Sequence, residues 1–150
     1  MTENPFVGSP FVGSWTYRSL LNDPALGNAD NPDFNALKFG WGTMTLAASA
    51  PEQVTGTIGG DGWSLALRGA AGFGAPSQLR VLGKGVVGGE EWIYDYIGWL
   101  VPAWPNSTDA LDRPAIVGSV VRTIPHSNGK GGTSPAGVVA SFYAVRADAD

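Results

Sequence analysis

The sequence predicts an all-β protein, a single eight-stranded antiparallel up-and-down barrel with very little helix. Three observations predict it. Eight short stretches of alternating residues, separated by Gly, Pro, Asn and Asp, fill most of the chain. Among its 150 residues, Gly at 22 and Pro at 11 are above average while charged residues are only 15%, a composition suited to many short strands with tight connections. Helix-capable stretches are nearly absent: residues 19–26 and 108–111 have room for a turn or two, limited by Pro24 and Pro114. Eight strands is about the number that closes a sheet into a small barrel whose interior holds one small ligand.

The alternating stretches are residues 11–20, 37–47, 53–59, 63–69, 78–86, 91–101, 115–124 and 138–146. The first places Phe11, Gly13, Trp15 and Tyr17 on one face, and that aromatic face is expected to point inward. The second sets Leu37, Phe39, Trp41 and Thr43 against Lys38, Gly40, Gly42 and Met44. Gly59-Gly60-Asp61-Gly62 is the strongest hairpin signal, joining the third and fourth stretches, and Gly88-Gly89 joins the fifth and sixth. In the sixth, Trp92, Tyr94, Tyr96 and Gly98 share one face and Ile93, Asp95, Ile97 and Trp99 the other. Both faces are largely apolar, so the pattern leaves the direction open. Pro5–Ser9 is repeated at once as Pro10–Ser14, too short for a repeat architecture. Residues 1–10 read as an extended lead-in, 11–147 as the barrel domain and 148–150 as a tail.

Up-and-down order puts the first–second, third–fourth, fifth–sixth and seventh–eighth connections at one end. The first and last of these, residues 21–36 and 125–137, are long and become neighbours on closure. Long loops are commonly lids or binding loops, so the pocket is expected at that end. The opposite end has one long connection, 102–114, carrying Trp104.

Gly13-Ser14-Trp15 resembles the Gly-x-Trp motif that opens lipocalins and, more loosely, avidin-type and other calycin barrels. Tyr94-Asp95-Tyr96 is similar to the lipocalin Thr-Asp-Tyr motif, with Tyr in place of Thr. The resemblance implies a barrel that takes small apolar ligands, and it offers Arg122 as the arginine that packs on the motif tryptophan. The chain departs from lipocalins in lacking Cys and in leaving no room after the last stretch for their C-terminal helix.

Six Trp, six Phe and four Tyr give an aromatic load that either lines a ligand cavity or simply fills a small barrel. Trp15 reads as structural. Trp41, Tyr94, Tyr96, Trp99, Trp104 and Arg122 are the candidate ligand-binding residues. Inward Tyr94 and Tyr96 hydroxyls would need partners, and Arg122 on the neighbouring stretch is one, toward a tyrosine or toward a ligand carboxylate. The alternative is a purely structural Tyr–Arg or Asp–Arg pair. Should the barrel be an enzyme, an isomerase, cyclase or lyase without metal or nucleotide, then Tyr94, Asp95, Tyr96 and Arg122 are the catalytic candidates. His126 is the only His. It reads as a residue of the barrel rim, although nitrobindin-type haem barrels resemble this chain in size and in having a late His.

Other function classes are set aside. A net charge of -4 leaves no basic footprint for nucleic acid. A chain without Cys has no disulfide or thiol chemistry, and a zinc site is not expected from one His. No Gly-x-Ser-x-Gly elbow and no phosphate-binding glycine loop is present. The adjacent Glu90 and Glu91 point to opposite faces and make no catalytic pair. No cofactor is expected. The expected partner is a small, mainly apolar molecule, without membrane insertion, and oligomers are compatible with the sequence. The N-terminus lacks a basic start before an apolar stretch, which reads as cytoplasmic, and Asn106-Ser107-Thr108 then reads as a chance glycosylation match.

Overall fold

The structure, a computed structural model, describes residues 9–23, 36–103 and 112–147. Eight strands form a closed barrel: β1 (Gly13–Leu21), β2 (Lys38–Ala50), β3 (Gln53–Gly60), β4 (Trp63–Gly72), β5 (Gln78–Val87), β6 (Glu90–Val101), β7 (Ala115–Arg122) and β10 (Val139–Arg146). Every strand pairs antiparallel with its chain neighbour, and β1 pairs with β10 from Trp15↔Arg146 to Leu21↔Ala140 to complete the ring. Among the described residues there is no helix; residues 19–21, weighed as the start of a helical turn, instead continue β1. No described helix is long and apolar enough to cross a membrane.

Two further strands were not expected. β8 (His126–Ser127) and β9 (Thr133–Ser134) pair as a small ribbon within the connection from β7 to β10. Asn128 makes its tip: the side-chain oxygen accepts from Lys130 N at 2.7 Å and Gly132 N at 3.1 Å, while Gly129 and Gly131 take positive φ. Ser127 N donates to both Glu90 carboxylate oxygens at 3.2 Å, and Thr123 Oγ1 donates to the Ile93 carbonyl at 2.9 Å. These bonds fold the ribbon onto the start of β6.

The interior follows the pleat. Trp15 and Tyr17 of β1, Met44 and Leu46 of β2, Leu65 and Leu67 of β4, Tyr94 and Tyr96 of β6 and Phe142 of β10 are all buried. Strand six therefore turns its tyrosines inward. Near its start strand two changes face: a bulge puts Ser19 opposite Gly40 but Leu20 opposite Lys38, leaving Phe39 as the extra residue. Phe39 consequently packs on the core although it is two residues from outward-facing Trp41.

The end where β1 begins is closed. Phe11 and Trp15 are fully buried, and the indole N–H of Trp15 donates to the Phe11 carbonyl at 2.9 Å. Arg146 lies 4.6 Å over the Trp15 ring and donates to the Pro10 carbonyl at 2.8 Å. Gly13 makes room for it: at φ 138° a Cβ there would stand 3.2 Å from the guanidinium. The arginine on the motif tryptophan is thus Arg146, and not Arg122, which lies at the other end of the barrel pairing with Tyr94. Arg122 closes β7, whereas the packing on Trp15 requires a residue at the end of β10.

Candidate functional site

The cavity opens at the end of the barrel where β1 and β7 finish and β10 begins. It holds about 120 Å³, floored by Tyr17, Leu65 and Tyr96 and walled nearer the mouth by Phe39, Trp63, Trp92 and Tyr94. Tyr17 and Tyr96 meet edge to face at 6.0 Å, and Phe142 packs on both. Ser19 adds a buried hydroxyl, which donates to the Gly40 carbonyl at 3.0 Å. Outside it lies a rim chamber of about 400 Å³ bounded by Arg122, Glu90, His126, Asn128 and Ser134. Phe39, Trp92 and Tyr94 line both spaces, so the two meet at these rings.

Tyr94 is the centre of the site. Its hydroxyl accepts from Arg122 Nε at 2.9 Å and lies 2.7 Å from His126 Nε2. His126 Nδ1 is 2.8 Å from the Ser127 carbonyl, which only accepts, so Nδ1 carries the ring proton. Nε2 of the neutral ring is then an acceptor, and the Tyr94 hydroxyl donates to it. The imidazole is 5% exposed and stacks on Trp92 with centroids 4.0 Å apart and an interplanar angle of 13°. Arg122 also lies 4.9 Å over the Phe39 ring and donates to the Pro135 carbonyl at 3.2 Å. No carboxylate among the described residues pairs with it.

Burial raises the pKa of Tyr94, against a smaller lowering by the hydrogen bond and the charge of Arg122. Tyr17 and Tyr96 are likewise raised, chiefly because burial disfavours a phenolate. All three hydroxyls are therefore protonated at neutral pH.

Of the residues singled out from the sequence, the structure brings together Tyr94, Tyr96 and Arg122. Asp95 faces outward and pairs with Arg80 at 3.3 Å, away from the cavity, because it alternates with the two inward tyrosines. Trp41 also faces outward, with Arg18 at 5.1 Å and Lys38 at 4.8 Å from its ring, because it alternates with the inward Met44 and Leu46 in the regular part of β2. Trp99 is 41% exposed on the outer face. Trp104 and residues 24–35, together with 108–111, fall outside the described residues. Glu91 pairs with Lys84 at 3.5 Å, and Glu90 holds the ribbon.

Sequence reasoning missed Phe39, Trp63 and Trp92 as cavity residues, and it read His126 as a rim residue without its contacts to Tyr94 and Trp92. Ser127-Asn128-Gly129 is a turn signal that places His126 at the foot of a short ribbon, but nothing local says that the ribbon folds inward. An axial haem ligand needs a ring nitrogen free toward the iron. Both nitrogens of His126 are engaged within the protein, so these residues do not offer it to a haem. No group of three metal-ligating side chains occurs among the described residues. Comparison of the chain with family models, curated proteins and solved structures gave no match in any of the three.

Proposed function

We propose that this barrel binds a small aromatic or apolar molecule with an anionic end, its apolar part in the inner cavity and its anionic end at Arg122. One observation carries the reading: an aromatic-walled cavity opens, past Tyr94, onto a half-buried arginine with no carboxylate partner among the described residues. An aromatic cavity gains from burying apolar surface, and one cation at its mouth selects the ligand's charge and orientation. A calycin-like affiliation belongs to the same proposal. It is supported by the closed eight-strand order and by Trp15 lying under Arg146 at the sealed end. A cytoplasmic setting, in keeping with a chain free of Cys, is part of it too.

The test is a titration of aryl carboxylates and neutral analogues of the same shape, followed by calorimetry. Arg122→Gln is expected to weaken the carboxylates about tenfold to a hundredfold, the loss of a charge-assisted hydrogen bond worth roughly 1.5–3 kcal/mol, with a smaller effect on the neutral compounds. Equal losses for the two series would remove Arg122 from the site.

A second reading, catalysis in this cavity without metal or nucleotide, has its own supporting observation. The Tyr94 oxygen is held between a permanent cation and an imidazole that accepts its proton.

A further inference from the structure

We infer that Tyr94, His126 and Arg122 form a proton-transfer centre, acting on an enolisable carbonyl compound that carries an aromatic or apolar group and a carboxylate. This inference rests on the reading of the cavity as a ligand site and adds a reaction to it.

A buried tyrosine that only completes a core needs one hydrogen-bond partner. Tyr94 has two of different kinds on one oxygen, and that oxygen belongs to a ring lining both chambers. His126 accepts the proton; Arg122, permanently charged, stabilises the oxygen when the proton leaves. The imidazole is itself oriented, by Nδ1–H to the Ser127 carbonyl and by its stack on Trp92, which fixes Nε2 toward Tyr94. A reactive group, its proton acceptor and a third group orienting that acceptor make up a general acid–base arrangement. Among the described residues Asp95 and Glu91 pair on the outer face, and Glu90, which bounds the rim chamber, accepts from Ser127 N.

The chemistry balances within the site. With the ligand's carboxylate at Arg122, Tyr94 passes its hydroxyl proton to His126 Nε2 as its oxygen takes the proton from the carbon beside the carbonyl. The C–H electron pair becomes the C=C bond, and the carbonyl pair moves to oxygen as an enolate facing Arg122. The imidazolium then returns a proton to Tyr94 while the Tyr94 hydroxyl protonates the enolate oxygen. Keto form has become enol, the protein is restored, and no co-reactant is consumed. The reverse sequence returns the proton to carbon.

The experiment uses the full chain and phenylpyruvate, which carries a ring, an enolisable ketone and a carboxylate. Binding is read by calorimetry, and loss of the benzylic proton signal in D2O by NMR. Expected is binding with exchange above the protein-free rate. Tyr94→Phe is expected to keep the fold and the binding while lowering exchange by about a hundredfold or more, the usual scale of general acid–base catalysis. His126→Ala is expected to lose exchange similarly and to regain part of it with added imidazole, which a merely structural histidine would not show. Binding without exchange, or wild-type exchange in Tyr94→Phe, overturns the proton-transfer assignment and leaves the binding reading standing. Absence of binding overturns both.

Discussion

Trp15 and Tyr94 are both buried aromatic residues of the inner face, and their surroundings give them opposite roles. Trp15 is fully buried at the sealed end, its N–H spent on Phe11 and its ring face covered by Arg146. Nothing of it reaches the cavity. Trp15→Ala is therefore expected to lower stability by about 3–5 kcal/mol, through lost burial and a residual void, with no selective loss of ligand affinity. Urea denaturation of wild type and variant checks this, and a wild-type midpoint would show that Trp15 contributes no core packing. Tyr94 instead lines two spaces, and its hydroxyl is bonded to groups from two other segments. The same amino-acid class at a strand's inner face is a core wedge in one place and carries a doubly hydrogen-bonded polar tip in the other. The difference lies in what faces the polar tip.

At the scale of elements, glycine sets how closely strands approach. Gly98 and Gly118 are paired across β6 and β7, and a Cβ at Gly118 would fall on the Ile97 carbonyl oxygen and 2.6 Å from the Gly98 Cα. Both obstacles are backbone, so relief requires pulling the β6–β7 ladder apart. Gly118→Ala is expected to cost on the order of 1–3 kcal/mol, as overpacking does, and to be read as a lower melting temperature. An unchanged melting temperature would mean that the ladder yields freely there. These strands were legible in the sequence because alternation and turn residues are local signals: residues 78–86 and 91–101 became Gln78–Val87 and Glu90–Val101. What was not legible depends on non-local packing. The facing of β6 is decided by its neighbours, since both of its faces are apolar. Near the start of β2 a bulged residue breaks the alternation, so that Phe39 packs on the core while Trp41 faces outward. The placing of His126 needs the ribbon, and the ribbon needs Glu90 and Ile93 on another strand. The pairing of Arg122 with Tyr94 was legible because two adjacent stretches put a cation beside an inward tyrosine. The contact of His126 with the same hydroxyl was not.

For the molecule as a whole, closure of β1 on β10 leaves the barrel sheet without an edge and buries three tyrosines on its inner face. Tyr17, Tyr94 and Tyr96 all have pKa values raised in the folded state, chiefly by burial. The sign follows from proton binding. Below about pH 9 a tyrosine is protonated in both the folded and the unfolded chain and contributes nothing to pH dependence. Above about pH 10 the unfolded chain releases protons that the folded barrel still holds, so stability falls as pH rises. Each tyrosine fully retained in this way steepens the fall by about 1.4 kcal/mol per pH unit. The barrel is accordingly expected to show a flat denaturation midpoint from neutral pH to about pH 9 and a steep loss above about pH 10. Ionisation of these tyrosines, followed by tyrosinate absorbance, is expected to coincide with loss of the far-UV strand signal. Reversible ionisation of all three while the strand signal persists would mean that the interior admits water and charge freely. A cavity so open could neither hold an apolar ligand by burial nor keep the Tyr94 proton on its path to His126.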